Sequence, residues 1–183
     1  DNEDGHGVKM VGNNSHKNCI VSVESSYGYN ERGGTPTQSK GGNADGFSIK
    51  NGAYDVTLID THAHHNSDDG FDFWKAGHSA VMDIKIPTVR IFYSSAISNG
   101  KNPYTPNGDG SGFKFGSSDN SQPSRRDKGT RLIYGSVACH NKYTGFNRNV
   151  TRTKIISISN SELGNGSNQG QVISQLLWSN KDK

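Results

Sequence analysis

Short apolar runs return at intervals along the chain, and each run is bounded by glycine, asparagine or other polar residues. Runs such as Val56-Thr57-Leu58-Ile59 and Lys154-Ile155-Ile156-Ser157-Ile158 are rich in β-branched residues, which fit a pleated and half-buried surface. Helical periodicity is weak throughout, and its best case, residues 171–178, suits a strand equally well. The pattern therefore predicts an all-β chain built from short strands and many turns.

One phrase recurs together with these runs: a small or acidic residue, glycine, usually phenylalanine, a polar residue and often an apolar one. Its copies begin at Asp4, Asp45, Asp69, Ser111 and Thr144. A second apolar station lies between the copies, at residues 18–23, 54–60, 88–93, 131–138 and 153–158. A fixed phrase at unequal spacing is typical of a solenoid whose insertions fall in one loop. We predict a right-handed parallel β-helix of about five or more coils, forming a single domain over residues 1–183.

Four insertions interrupt the repeat, and we interpret them as long loops because they are rich in glycine, serine, proline and asparagine. They cover residues 31–43, 75–87, 99–109 and 117–130. Asn66 and Asn141 each stand four residues before a repeat glycine. Equivalent asparagines in stacked coils would bring their amides together, so we expect a ladder of side-chain hydrogen bonds.

Alternate side chains of a strand point to opposite faces, so the repeat fixes which residues face the interior. The repeat phenylalanines are expected inside; they are Phe47, Phe71, Phe113 and Phe146. The next residue of each copy is expected outside; these are Ser48, Asp72, Lys114 and Asn147. Because adjacent strands lie about 4.8 Å apart, stacking places Asp45 beside Asp69, with Asp68 at the nearby corner. It also places Asp72 beside Lys114.

Carboxylates that converge in this way repel one another unless a cation lies between them. Oxygen donors at this density suit Ca²⁺, which takes about six to eight oxygen ligands. The predicted metal ligands are Asp45, Asp68, Asp69 and Asp72. Lys114 stands beside them, and a neighbouring cation or burial would lower its pKa from the ordinary value of about 10.4. Lys114 is therefore the candidate general base.

The order of these phrases resembles family 9 of the polysaccharide lyases, the pectate lyases of that family. Four phrases within residues 42–150 carry the resemblance: Ala44-Asp45-Gly46-Phe47, Asn66-Ser67-Asp68-Asp69-Gly70-Phe71-Asp72, Gly112-Phe113-Lys114 and Asn141-Lys142-Tyr143-Thr144-Gly145-Phe146-Asn147. The resemblance implies a right-handed parallel β-helix and calcium-dependent β-elimination on polygalacturonate. It assigns the four aspartates to calcium binding and Lys114 to the base that removes the C5 proton. This chain is shorter than family members, and the insertion at residues 99–109 precedes the lysine phrase and bears on the cleft.

Four residues on or near the same outer face are candidate substrate contacts: Lys50, Trp74, Lys142 and Arg148. The net charge is +3, and basic residues cluster between Arg125 and Lys154. Such a cluster suits a polyanionic partner, but a solvated basic face explains it equally well. With the resemblance, the expected partner is an acidic polysaccharide rather than nucleic acid or a membrane. We expect a secreted monomer.

Two alternative functions stay open on these residues. The same scaffold suits a lyase on another uronate polymer, such as alginate or a rhamnogalacturonan. A different class is a non-catalytic β-helix that binds carbohydrate or serves as a structural piece and keeps calcium for stability alone.

Two further groups of side chains have a structural interpretation that we prefer. His62, His64 and His65 invite a zinc assignment, but corner packing is favoured because no accompanying carboxylates are evident. Cys19 and Cys139 lie beside apolar residues, so we expect two buried free thiols, although the sequence leaves their pairing open.

Overall fold

The structure is a computed structural model that describes residues 8–11, 21–24, 27–29, 44–50, 56–73, 88–101, 108–116, 130–149, 151 and 154–167. For Lys50, Thr88 and the strands before residue 44, it describes the backbone alone. Every regular element in these ranges is a β-strand. None of these residues lies in a helix that is long and apolar enough to cross a membrane.

The strands form three parallel sheets, and the chain visits the sheets in the same order in every coil. Sheet A contains β1 (Val8–Val11), β4 (Phe47–Lys50), β7 (Phe71–Asp72), β10 (Phe113–Lys114) and β13 (Phe146–Asn147). Sheet B contains β2 (Val21–Glu24), β5 (Val56–Ile59), β8 (Thr88–Phe92), β11 (Thr130–Tyr134) and β14 (Lys154–Ile158). Sheet C contains β3 (Tyr27–Tyr29), β6 (His62–His64), β9 (Ser95–Ile97), β12 (Val137–Cys139) and β15 (Ser161–Leu163). The described strands thus make five coils of a right-handed parallel β-helix, which confirms the predicted fold class.

The repeat phenylalanines form a column inside sheet A. All four are fully buried: Phe47, Phe71, Phe113 and Phe146. Their rings stack nearly parallel, with successive centroids 4.9, 4.6 and 5.0 Å apart. The strand register pairs these residues directly, so the phrase that repeats in the sequence is the phrase that stacks in space.

The first copy of the phrase is in a different register from the one predicted. Val8 pairs with Phe47, whereas the phrase placed it opposite Ile49. The prediction was wrong by two residues because a shift of two keeps every side chain on its own face. The alternation of apolar and polar residues therefore does not distinguish the two registers.

Sheet B supplies much of the remaining apolar interior, through Val56, Leu58, Val89, Ile91 and Ile133. One position in this interior is charged, because Arg131 is fully buried and lies between Val89 and Ile155 in the strand register. The interpretation of the late basic residues as a solvated face is therefore wrong for Arg131. It stands two residues before Ile133 and so shares the inward face of β11. A buried guanidinium needs a partner within the protein, and Arg131 has one.

The predicted asparagine ladder is present, and it is longer than the sequence showed. Asn66 donates from Nδ2 to Asn99 Oδ1 over 2.8 Å, and Asn99 donates to Asn141 Oδ1 over 2.9 Å. Asn141 in turn donates to Asn165 Oδ1 over 3.0 Å. The ladder runs along the corner that leads from sheet C back to sheet A, beside the residues proposed as metal ligands.

Replacing Asn99 by alanine is expected to lower the free energy of unfolding by about 3 kcal/mol, because each buried polar group left without a partner costs about 1–3 kcal/mol. The change removes the acceptor of Asn66 and the donor to Asn141, and it also removes a bond to Ala63 O. Urea unfolding measures the loss. Asn165→Ala is the matched control and is expected to cost less, because Asn165 is only half-buried. Equal costs for the two variants would contradict the prediction.

Candidate functional site

Three carboxylates converge where the corner after sheet C enters sheet A. Asp45, Asp68 and Asp69 are buried, and each offers one oxygen within 4.8 Å of the others. The Asp69 amide donates to Asp45 Oδ1 over 3.3 Å, so the carboxylate of one coil accepts from the backbone of the next. The stacking predicted for these aspartates is therefore observed.

Glycines allow the coils to approach closely enough for this cluster to form. A Cβ added to Gly46 would lie 2.6 Å from Asn66 Nδ2, and one added to Gly70 would lie 2.7 Å from Gly112 O. Both distances are too short for a side chain. The Asp-Gly pairs of the repeat thus combine a carboxylate with the residue that lets its neighbour stack against it.

Lys114 lies on the outward face of β10, beside this cluster. Its Nζ is 2.9 Å from Asp69 Oδ2, and the lysine side chain is only 14% exposed. Asp69 Oδ2 is buried, so the carboxylate side of this ion pair with Lys114 lies out of contact with solvent. The register places Asp72 opposite Lys114 in the preceding coil, as predicted.

The outward face of sheet A is more enclosed than its alternation suggested. Ser48 is fully buried at this face, and Asp72 and Asn147 are 5% and 9% exposed. Alternation fixes which face a side chain takes and says nothing of what covers that face. The five residues predicted for the centre of the site therefore lie in a largely desolvated environment; they are Asp45, Asp68, Asp69, Asp72 and Lys114.

Burial and mutual repulsion perturb the ionisation of the aspartates. Burial, with Asp69 and Asp45 nearby, raises the pKa of Asp68 to about 9. Burial also raises the pKa of Asp69 to about 7, against the opposing effect of Lys114. Both carboxylates are thus held in an arrangement that disfavours their charged forms, which is the condition a bound cation relieves.

The pKa of Lys114 is shifted in the direction opposite to the one expected from the sequence. Burial lowers it, but Asp69, Asp72 and Asp68 outweigh burial and raise it above the ordinary lysine value. Without a cation, the surrounding negative charge stabilises the ammonium; the lowered pKa expected for a lysine beside a bound cation stays a prediction.

In EDTA, the free energy of unfolding is expected to fall by several kcal/mol, on the order of 5, between pH 5 and pH 8, because each extra proton held by the folded state contributes about 1.4 kcal/mol per pH unit. The pKa values of Asp68 and Asp69 are raised in the folded state, so between about pH 4 and pH 9 the folded protein binds more protons than the unfolded chain. Their contribution is complete below the unfolded pKa and is lost as pH rises through the folded values. Lys114 stays protonated in both states over this range and contributes no slope. Urea unfolding at the two pH values measures the fall, which should be smaller in Asp68→Asn. An equal fall in the wild type and in this variant would contradict the assignment of the pH dependence to Asp68.

A short segment of the predicted insertion closes over Asp68. The Asp109 amide donates to Asp68 Oδ1 over 2.7 Å, and the Gly110 amide approaches the same oxygen at 3.5 Å. Ser111 donates from its amide to Asp69 Oδ1 over 2.7 Å. Sequence reasoning missed Asp109 and Ser111; the available signal was the glycine-alternating run immediately before the lysine phrase.

The predicted substrate contacts have different outcomes. Lys142 is exposed, but its Nζ donates to Gly108 O over 2.7 Å and thereby joins the site indirectly. Arg148 is exposed as well, and it donates from Nε to Thr151 O over 3.2 Å. The side chain of Lys50 and the whole of Trp74 lie outside the described residues. A role in substrate binding stays a prediction for all four residues.

Only one of the three histidines lies at the predicted corner: His62 and His64 belong to strand β6, and His65 follows it with a φ of 58°. His62 lies within hydrogen-bonding distance of Ser95 Oγ (2.8 Å) and Asp60 Oδ1 (2.9 Å), and His64 and His65 approach each other at 3.0 Å between their Nδ1 atoms. Within the ranges that the structure describes, the aspartate cluster is the one group of three or more His, Cys, Asp or Glu residues close enough to hold a metal.

The cysteine prediction is partly wrong. Cys139 is a free thiol, but it is half-buried rather than buried. It lies on sheet C at a position where side chains face outward, since its neighbour Ala138 faces the core. Cys19 lies outside the described residues.

Comparisons with known proteins agree with this geometry. A family profile described as "Pel9A-like, right handed beta helix region" matches residues 1–180. Pectate lyase PEL9 of Emericella nidulans is 31% identical over 154 residues, which cover 78% of this chain and 35% of that protein. The crystal structure of pectate lyase Pel9A superposes with a TM-score of 0.70 and 27% identity, over 89% of this chain and 36% of that one. The chain thus spans about a third of the length of these relatives.

Proposed function

This chain belongs to family 9 of the polysaccharide lyases, and from that premise we propose that it cleaves polygalacturonate by calcium-dependent β-elimination. The observation that carries the proposal is the convergence of three buried carboxylates within 4.8 Å of one another, next to Lys114 on the outward face of β10. The partner we propose is an acidic polysaccharide met outside the cell, and this location rests on the family alone.

The donor set fits Ca²⁺ in composition and in charge. Asp45, Asp68 and Asp69 offer oxygen donors alone, which hard cations prefer, and burial raises the pKa of both Asp68 and Asp69, a cost that a bound cation would relieve. We propose that these three aspartates and Asp72 hold the ion. The chemistry that Ca²⁺ supplies when bound is neutralisation of the substrate's uronate carboxylate, which makes the C5 proton more acidic.

Lys114 is the residue we propose to take the C5 proton at Nζ. The electron pair of the C5–H bond forms the C4=C5 double bond, and the bond from C4 to the glycosidic O4 breaks with its electron pair passing to O4. The leaving O4 takes up a proton from water, and a 4,5-unsaturated sugar end remains. The lysine must be neutral to accept the proton, whereas Asp69, Asp72 and Asp68 hold its pKa above the ordinary value. Carboxylates engaged by a cation stabilise the ammonium less, so occupation of the metal centre would favour the reactive form.

The test is to mix the protein with polygalacturonate and follow the absorbance at about 235 nm, which is typical of the conjugated product that this mechanism requires. We expect a calcium-dependent rise that EDTA abolishes and excess calcium restores. Magnesium in place of calcium serves as the matched control, since it favours a smaller and more rigid coordination shell. A flat trace on pectate, alginate and rhamnogalacturonan from folded, calcium-bound protein would favour the non-catalytic alternative. A rise on alginate or rhamnogalacturonan alone would move the proposal to that substrate.

A further inference from the structure

Residues 108–110, hereafter the strap, lie across the corner between two coils and end on the metal centre. The Asp109 and Gly110 amides both point at Asp68 Oδ1, at 2.7 and 3.5 Å. The strap is thus the element that fixes the orientation of this carboxylate. Orientation matters because groups that hydrogen-bond a metal-ligating side chain set how well it can meet the ion.

The strap lies close to the coils because glycines leave room for it. Gly100 and Gly110 have φ values of 74° and 72°, which favour glycine, and a Cβ on Gly100 would collide with Gly110 Cα. A Cβ on Gly108 would collide with Ser67 O and would also lie 2.6 Å from Asp68 Cα. Side chains at these positions would therefore lift the strap away from Asp68.

Lys142 ties the strap down from the other side. Its backbone amide donates to Asn99 O over 2.9 Å, which fixes the lysine at the corner above Gly100. Its Cβ lies so near Gly110 that an added Cβ there would be 2.8 Å away, and its Nζ reaches Gly108 O at 2.7 Å. The ammonium thus makes a charge-assisted hydrogen bond to the first residue of the strap.

We infer that Lys142 is a positioning residue for the metal centre: it holds the strap so that the Asp109 and Gly110 amides orient the Asp68 carboxylate. The inference rests on the proposed function and adds a role for a residue that the sequence assigned to substrate contact. Its prediction differs from that assignment, because a positioning residue changes the affinity for calcium whereas a substrate contact changes the affinity for polysaccharide.

The test is isothermal titration of Ca²⁺ into the wild-type chain and into Lys142→Met, which keeps most of the side-chain length and removes the ammonium. We expect the Kd for calcium to rise about tenfold in the variant. Lys154→Met is the matched control: it removes the same charge from an exposed position on β14, and its calcium Kd should equal that of the wild type. Unfolding in EDTA shows whether either variant alters the stability of the metal-free fold.

A second pair of variants tests the strap without touching Lys142. Gly100→Ala places a methyl group against the strap and should also weaken calcium binding. Gly135→Ala carries a similar backbone strain, at a φ of 62°, in the turn between β11 and β12, where an added Cβ would meet only the Tyr93 side chain, and it should leave the Kd unchanged. Both pairs must behave as stated for the inference to stand.

The outcomes separate this inference from the proposed function. If the wild type binds no calcium, the proposed metal centre fails and the role of Lys142 fails with it. If the wild type binds calcium and Lys142→Met binds it equally well, the inference alone is overturned. An unchanged calcium Kd with a raised KM for polygalacturonate would overturn it in favour of the substrate-contact assignment.

Discussion

Replacing Lys114 by methionine is expected to lower kcat/KM for elimination on polygalacturonate by about a thousand-fold, while the protein stays folded and binds calcium. General-base catalysis contributes about 10²- to 10⁴-fold, and methionine has no group that can accept the C5 proton. Calcium should bind at least as tightly as in the wild type. The variant removes a positive charge whose Nζ lies 2.9 Å from Asp69 Oδ2, and that charge opposes a cation at the same carboxylates.

Lys114→Arg is the matched variant that separates charge from proton acceptance. Arginine keeps a positive charge beside Asp69 but stays protonated at any pH at which the protein is folded. A base at this position predicts that both variants lose activity, whereas a purely electrostatic role predicts that the arginine variant keeps much of it. Initial rates of the absorbance rise at about 235 nm, with saturating calcium, provide the measurement. Activity of Lys114→Met within tenfold of the wild type would remove Lys114 from the mechanism.

The centre of the site could be predicted from the sequence because the phrase that stacks is the phrase that carries the chemistry. Asp45-Gly46-Phe47 and Asp69-Gly70-Phe71 place a carboxylate, a bare backbone and an inward anchor in fixed order. Once Phe47 and Phe71 stack at 4.9 Å, the two aspartates have to be neighbours. The buried face excludes a slip of one residue, which would turn Phe71 outward, and the stacked phenylalanines exclude the slip of two that alternation allows.

Residues supplied by insertions could not be predicted in the same way. Asn99 belongs to the ladder, but it stands thirteen residues before its repeat glycine, Gly112, whereas Asn66 and Asn141 each stand four residues before theirs. The insertion hides the equivalence. It also brings Asp109 to the aspartate cluster, by a path that depends on the close contact of Gly100 with Gly110. Such a contact is a property of folded backbones and leaves no spacing rule in the sequence.

A second polar ladder illustrates a different limit. This hydrogen-bonded row runs along the corner between sheets B and C through Thr61, Ser94, Ser136 and Asn160. The Thr61 and Ser94 hydroxyls are 2.9 Å apart, and Asn160 Oδ1 accepts from the Ser136 amide over 2.8 Å. Three residue types fill equivalent positions, because any short polar side chain can bond the next coil there. Because the residue type varies from coil to coil, the sequence does not reveal this row.

The sign of the Lys114 pKa shift shows why site chemistry needs the structure. Stacking of the repeat places Lys114 beside a predicted cation, and a lowered pKa is expected from that position. The structure adds that Asp69, Asp72 and Asp68 are buried beside the lysine, and they raise its pKa in the absence of a cation. Both statements describe one site in two states of occupation. The proposed mechanism therefore couples the ionisation of the base to the metal, and activity without calcium should be absent rather than reduced.

Replacing Asp69 by asparagine is expected to weaken calcium binding by at least about a hundred-fold and to abolish elimination at ordinary calcium concentrations. Asp69 is the best-connected carboxylate of the cluster: its Oδ1 accepts from the Ser111 amide over 2.7 Å and its Oδ2 faces Lys114 at 2.9 Å. Asparagine has nearly the same shape and can keep the bond from Ser111. The variant therefore removes the carboxylate charge from a fully buried position without opening a cavity.

The rise in melting temperature on adding calcium measures this loss independently of activity, because a ligand that binds the folded state stabilises it by an amount that grows with the ratio of ligand concentration to Kd. The wild type should show a clear rise and Asp69→Asn should show none at the same calcium concentration. Asp60→Asn is the matched control, since it removes one carboxylate from a side chain that is 57% exposed on another face, and its calcium response should equal that of the wild type. A full calcium response in Asp69→Asn would exclude this cluster as the metal centre, and with it the reason for placing a base at Lys114.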